Sequence, residues 1–294
     1  MQSPSRLGFG VSGPLGRSWF SEEKAAAIIG AAYKGGVRHF DTAPFYGSAQ
    51  ERLGRALNSL GARDVFISTK TGTRRDGGSL VKDFSERAIR NDVERSLADL
   101  NRAKLDLLYL HGPSLAQMDA ARPIIEKLKG EGLIKAAGVC GDGAPLTRAI
   151  ESGFDAVMTI YNVVNRDSAA AIADAARRGL MTIAIGPLVD GLVGPGPIPP
   201  RSLSDIWRIA RSAARRRYDR RALAAARRAL GSQDPAGKAL SFVLANPSID
   251  IVMTTTTKER HLVSSLAAAA RPADPAFHQR IIEMLLTGEA AAPS

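Results

Sequence analysis

A chain of 294 residues, 45% of them hydrophobic, can bury a sizeable core, either as one α/β barrel or as two smaller domains. No apolar run approaches the ~18 residues of a membrane span, and the N-terminus Met1-Gln2-Ser3-Pro4-Ser5-Arg6 lacks the apolar centre of a secretory signal. One cysteine, Cys140, excludes an intrachain disulfide and points to the reducing cytoplasm, while the net charge of +11 is concentrated in residues 201–230, where ten arginines face only Asp205 and Asp219.

Residues 6–12 read as a first strand with glycines, followed by Gly13-Pro14 and a loop carrying Trp19 and Phe20. Ser21-Glu22-Glu23 opens a helix, with Ser21 as N-cap and the acidic residues suited to the positive end of the helix dipole. A strand at 37–41 leads to a helix at 49–60, with Leu53, Ala56, Leu57 and Leu60 on one face. A strand at 65–70 leads through a Gly/Arg-rich loop to a helix at 85–100. Strands at 105–111, 133–140, 156–161 and 181–186 follow, with helices at 117–129, from Pro145 onward, and at 167–178. After a long loop come the last strand, 249–253, and its helix, 258–270. Strands alternating with helices imply a parallel sheet. Eight such repeats at this length imply a closed (β/α)8 TIM barrel, a single domain over 1–294. In that barrel 187–235 supplies a long loop over the mouth and an Arg-rich helical segment, and 272–294 a C-terminal helix and frayed tail.

The organising stretch is Phe40-Asp41-Thr42-Ala43-Pro44-Phe45-Tyr46-Gly47, a strand running into a Pro- and Gly-containing loop before a helix. A carboxylate stands where the strand ends, and a phenol five residues later. Free tyrosine has a pKa of roughly 10, so Tyr46 needs a buried cation to act near neutrality. Lys70 closes the next strand and His111 the one after, so three successive strand ends each carry an ionisable group. Taken singly, each has a plain structural use: a cap, loop packing, a solvated lysine, a satisfied histidine. Their order and spacing argue for one site at the C-terminal face of the barrel.

These contexts, FDTAPFYG, FISTK and LDLLYLHGP, resemble the aldo-keto reductase family over most of the chain, with Asp41, Tyr46, Lys70 and His111 at the places of that family's catalytic four. The resemblance implies hydride transfer between a nicotinamide and a carbonyl or alcohol carbon of a small molecule. Tyr46 is then the proton donor, Lys70 draws its pKa toward the working range, Asp41 keeps Lys70 charged, and His111 orients the substrate oxygen. Trp19 and Phe45 join Tyr46 and His111 as the expected substrate wall; no metal is expected. Gly112 stands where the family often has a bulky aromatic, so the pocket floor is widened or refilled from elsewhere. The small hairpin that family members often place before the first strand is reduced or absent.

On the cofactor side the resemblance is partial. The family's Ser-Asn pair, Gln and ring-stacking Tyr correspond here to Cys140-Gly141, Met158 and Ile185, which cannot reproduce the amide hydrogen bonds. Gly186-Pro187-Leu188 and Gly191 keep the spacing of the loop along the pyrophosphate. Thr254, Thr255, Lys258 and Arg260 resemble the segment that binds the adenosine 2′-phosphate, with a helix N-terminus and cations. NADP(H) is therefore the expected cofactor, with NAD(H) as the alternative. No G-x-G-x-x-G follows a strand, the one at 8–13 beginning within the first strand, so a Rossmann domain is unsupported.

Residues 203–230 read as one or two helices with Ile206, Trp207, Ile209, Ala210 and Ala213 as apolar positions. A solvated outer helix is favoured over a docking face for an acidic partner, anionic lipid or nucleic acid, the alternative resting on Arg215, Arg216 and Arg217. From a different class, the competing function is a catalytically weak cofactor-binding barrel serving as a regulatory or scaffolding subunit through this helix.

Overall fold

The computed structural model describes residues 6–76, 79–193, 200, 202–215 and 219–287, without the side chains of 76, 208 and 211–215. The expectations for a reduced N-terminal hairpin, for residues 194–199 of the mouth loop, for Arg201, Arg216 and Arg217, and for the tail beyond 287 lie outside the described residues.

Eight parallel strands close into a barrel. In chain order they are β1 (Leu7–Gly10), β2 (His39–Asp41), β3 (Phe66–Thr71), β6 (Leu105–His111), β7 (Ile134–Cys140), β8 (Ala156–Ile160), β9 (Met181–Ile185) and β10 (Ile251–Thr254), with β1 hydrogen-bonded to both β2 and β10 to complete the ring. Two further strands, β4 (Thr73–Asp76) and β5 (Ser79–Lys82), form an antiparallel hairpin where the sequence suggested only a loop. Alternate residues of each barrel strand point inward. Leu107, Tyr109, Cys140, Met158, Ile183 and Met253 thereby fill the barrel, while a larger cluster joins the outer strand faces to the helices.

The outer layer contains α1 (Glu22–Lys34), α2 (Ala49–Ser59), α3 (Glu86–Leu100), α4 (Leu115–Gly130), α5 (Ala144–Glu151) and α6 (Ala169–Arg177). It continues with α7 (Leu203–Arg215), α8 (Arg220–Leu230), α9 (Pro235–Leu244), α10 (Glu259–Ala270) and α11 (Pro275–Thr287). Ser21 caps α1 as its sequence position suggests, accepting from the Lys24 amide at 3.3 Å.

Two expectations are corrected. The first strand is shorter than 6–12, because Val11 and Ser12 already lead into the 3-10 turn Gly13–Gly16. The stretch before β10 is not all loop: Pro235–Leu244 forms α9, buried along Ala239, Leu240, Phe242 and Val243, a nearly continuous apolar run whose helical period is masked. In α7 the apolar positions Ile206 and Ile209 are exposed, at 53% and 42%. Among the described residues no helix is long and apolar enough to cross a membrane.

At the N-terminal end of the barrel lies an open cavity of about 660 Å³, bordered by Arg38, His39, Phe66, Met181, Asp250 and Ile251. All are first residues of barrel strands or their immediate neighbours.

Candidate active site

Strand β2 ends at Asp41, and Pro44, whose ring presets φ, starts a 3-10 turn, Pro44–Tyr46, that carries the phenol. Backbone contact with the Gly13–Gly16 turn holds this segment down. The Gly16 carbonyl accepts from the Ser48 amide at 3.1 Å, and Gly47 has φ +70°. A Cβ built on Gly16 would stand 1.7 Å from the Tyr46 carbonyl oxygen, so only glycine fits there. Buried Arg52 on α2 braces the same turn by donating to the Leu15 carbonyl at 2.8 Å.

Register does the rest. Asp41 lies beside Ser68, Lys70 beside Tyr109, and His111 beside Cys140, all on the inward face. Lys70 Nζ pairs with Asp41 Oδ2 and donates to the Thr42 carbonyl at 2.9 Å; the lysine is 2% exposed. Ser68 Oγ donates to the other carboxylate oxygen, Oδ1, at 2.8 Å. The ammonium lies 5.1 Å from the centroid of the Tyr46 ring. The Tyr46 and His111 rings meet edge to face at 6.0 Å, and Phe45 lies 6.1 Å from Tyr46 and 6.2 Å from His111.

The electrostatics follow from burial. Burial alone would discharge Lys70, but the Asp41 carboxylate and the Tyr46 phenol outweigh it and hold the amine above its usual range. Burial pushes the Tyr46 phenol above its usual value; Lys70 pulls it down, while Asp41 and Cys140 oppose that pull. Lys70 thus acts in the expected direction, but burial outweighs its pull, and the phenol stays protonated. Burial, with Lys70 and Lys82 nearby, lowers His111 to about 3, so its imidazole is neutral. Its Nδ1 is buried with no hydrogen-bond partner among the described residues.

Four of the expected residues, Asp41, Tyr46, Lys70 and His111, therefore meet with Phe45 in one place. Trp19 does not join them in ring contact: it stands 42% exposed, edge-on to Phe20. The space beside Gly112 is refilled by Lys82 of β5, whose Nζ would lie 2.9 Å from a Cβ there and which donates to the His111 carbonyl. Nothing in the sequence pattern placed Lys82 here, since the hairpin that carries it was unrecognised.

Cys140 and Met158 sit side by side in the barrel filling, 9% and 1% exposed, with Ile185 packed against the same cluster. They present an apolar floor; burial raises the Cys140 thiol to about 11, so it remains a neutral, weak donor. Gly186 has φ +69°, and its carbonyl accepts from the buried Asn162 amide at 3.0 Å, which fixes the start of the Pro187-Leu188 segment. Beyond it, Asp190 and Gly191 also take positive φ in a tight 3-10 turn. Thr254 Oγ1 bonds the Gly8 carbonyl, and Thr255 Oγ1 crowds Gly10, so both hydroxyls lie over β1. Lys258, the N-cap of α10, pairs at 2.7 Å with Asp205 of α7, a carboxylate only 10% exposed. Arg260 is exposed in the first turn of α10, its Nε 3.4 Å from His261 Nε2. A helix N-terminus with an available guanidinium and flanking threonines fits a phosphate.

In the Arg-rich segment, Arg227 donates twice to the Leu192 carbonyl, at 2.9 and 2.6 Å. At least this arginine serves to tie α8 to the loop after β9.

Known proteins give the context. The chain is 34% identical over 182 residues to D-threo-aldose 1-dehydrogenase of a Pseudomonas species, the match covering 52% of this chain and 55% of that protein. It thus spans about half the length of that relative. An uncharacterized oxidoreductase, YqkF of Bacillus subtilis, is 27% identical over 259 residues, covering 84% and 83% of the two chains. Among solved structures, the glycerol dehydrogenase AKR11B4 of Gluconobacter oxydans superposes with a TM-score of 0.80 at 20% identity, over 100% of this chain and 96% of that one, a likeness of fold. The sequence model of the Aldo/keto reductase family matches residues 6–285. Since that match covers nearly the whole chain, the chain belongs to the aldo-keto reductase family.

Proposed function

We propose that the protein is an NADP(H)-preferring oxidoreductase of the cytoplasm that interconverts a small carbonyl compound and its alcohol, with Tyr46 as proton donor. The observation that carries the proposal is the buried Asp41–Lys70 pair set against Tyr46, with neutral His111 edge-on to the phenol. The name of the Pseudomonas relative makes an aldose the substrate class to try first.

The nicotinamide, when bound, supplies or accepts the hydride. Every other task falls to the chain. Tyr46 is protonated at neutral pH and can give its proton to the carbonyl oxygen during reduction. Lys70, held cationic by Asp41, stands ready to stabilise the phenolate that remains. Neutral His111 and the ring of Phe45 bound the space above Tyr46 and limit how a substrate oxygen can approach. The apolar floor of Cys140, Met158 and Ile185 excludes water from beneath a planar ring. For nucleotide binding, Gly186, Pro187, Leu188 and Gly191 would border the pyrophosphate, and Thr254, Thr255 and α10 the adenosine end. Arg260 is the better placed cation for a 2′-phosphate because Lys258 is already matched by Asp205.

The test is turnover of a panel of aldehydes and aldoses by the wild-type protein and by Tyr46→Phe. General acid catalysis contributes about 10²–10⁴-fold, so the variant should lose at least that factor in kcat while still binding NADPH. Turnover persisting in Tyr46→Phe would refute the role assigned to the phenol.

A further inference from the structure

Below Asp41, on the inner wall of the barrel, lie two polar side chains the mechanism does not use. His39 precedes Asp41 by two residues on β2, and Ser68 precedes Lys70 by two on β3, so the strand period brings all four to the same face. Ser68 Oγ is 2.8 Å from Asp41 Oδ1 and 3.2 Å from His39 Nε2; both residues are buried, at 0% and 5% exposure.

The chemistry of the donors orients this row. A carboxylate only accepts, and a hydroxyl has one hydrogen. That hydrogen goes to Asp41 Oδ1, the nearest acceptor in reach and a charged one, since the Phe40 carbonyl is 3.5 Å away and His39 Nε2 3.2 Å. Ser68 Oγ is left to accept from His39, which requires the hydrogen on Nε2. The row then runs His39 Nε2–H to Ser68 Oγ–H to Asp41 Oδ1, while Lys70 reaches Oδ2 from the other side.

We infer that His39 and Ser68 are positioning residues that hold Asp41 and disperse its charge from below, so that the Lys70 cation remains free to serve the Tyr46 phenolate. This rests on the catalytic reading above. Without the serine hydroxyl, the Asp41 charge concentrates on Oδ2, binds Lys70 more closely and leaves less of its field for the phenol. The charged groups acting on His39 are Asp106 and Lys70, and the titratable groups acting on Tyr46 are Lys70, Asp41 and the Cys140 thiol. None of these is removed by changing Ser68 or His39. Because His39 borders the cavity at the N-terminal end of the barrel, truncating it opens no sealed void.

Two measurements test the inference. In alcohol oxidation with NADP+, the phenolate is the base that takes the alcohol's proton, so the limb on which kcat/KM rises with pH reports deprotonation of the phenol. Ser68→Ala should move that limb upward by about one pH unit, a roughly tenfold loss at a fixed pH on the limb, and Ser68→Thr should restore it. A limb left unmoved by Ser68→Ala overturns the inference, whatever happens to the maximal rate. Independently of turnover, the nitrogen spectrum of ¹⁵N-histidine-labelled protein near pH 7, with His39 assigned through His39→Ala, should show the Nε2–H tautomer. Finding the Nδ1–H tautomer overturns the inference even if Tyr46→Phe has confirmed the catalytic role. Absence of wild-type turnover would instead refute the catalytic reading on which the inference rests.

Discussion

Replacing Lys70 by methionine should cost the protein about 3 kcal/mol of stability, far more than loss of an exposed ion pair. An exposed pair is worth about 0–1 kcal/mol. Removing one partner of a buried pair costs roughly 3–5 kcal/mol, because a charge is left without its counterion. Lys70 is 2% exposed and the Asp41 side chain 10%, which places the pair in the second class. The lower end of the range applies because Asp41 Oδ1 keeps its bond from Ser68. Methionine preserves most of the stem volume, so little of the loss comes from a cavity. At about 2–4 °C per kcal/mol for chains of roughly this size, the melting temperature should drop by about 6–12 °C. Calorimetry and urea unfolding of wild type, Lys70→Met, Asp41→Asn and the double variant form a cycle. A coupling of at least ~2 kcal/mol is expected, since the double variant buries no uncompensated charge. A single-variant loss below ~1 kcal/mol, or strictly additive losses, would show that the two side chains are not a buried pair.

Burial lowers His39 to about 4 and His111 to about 3, so both rings are neutral in the fold and protonated more readily when unfolded. Stability is therefore present above ~6.5 and lost as pH falls toward 4, with each such ring contributing a slope of up to ~1.4 kcal/mol per pH unit; His39→Gln should flatten urea-midpoint profiles by about one ring's share, and an unchanged slope would contradict its neutral burial. Gly16→Ala forces a Cβ against the Tyr46 carbonyl. It should cost about 1–3 kcal/mol and lower kcat more than it raises substrate KM, whereas unaltered kinetics would mean the turn does not hold the phenol. Arg260→Ala should weaken NADPH binding by about 10–100-fold with little change for NADH, and Lys258→Ala should do less, as fluorescence quenching would show; equal losses for both nucleotides would remove the 2′-phosphate from this helix end.

The barrel and four of its site residues were legible because their signals are local. Strand–helix alternation is written in hydrophobic period, and Asp41 and His111 close their strands while Lys70 stands one residue before the end of its own, so a parallel barrel necessarily delivers them to one end. What the linear chain left undetermined depends on contacts between distant segments. The hairpin that brings Lys82 to the His111 carbonyl was hidden because Gly and Arg residues mask a strand's alternation. Helix α9 was hidden because it is apolar nearly all round.

The sequence alone fixed which strand ends carry charge. Only the packed barrel decided what those charges are worth, because register sets Asp41 between Ser68 and Lys70, burial keeps the phenol protonated and His39 and His111 neutral, and pairing with Asp41 keeps the lysine charged against burial. Desolvation and pairing act through space, and no spacing along a chain states how far a side chain is from water.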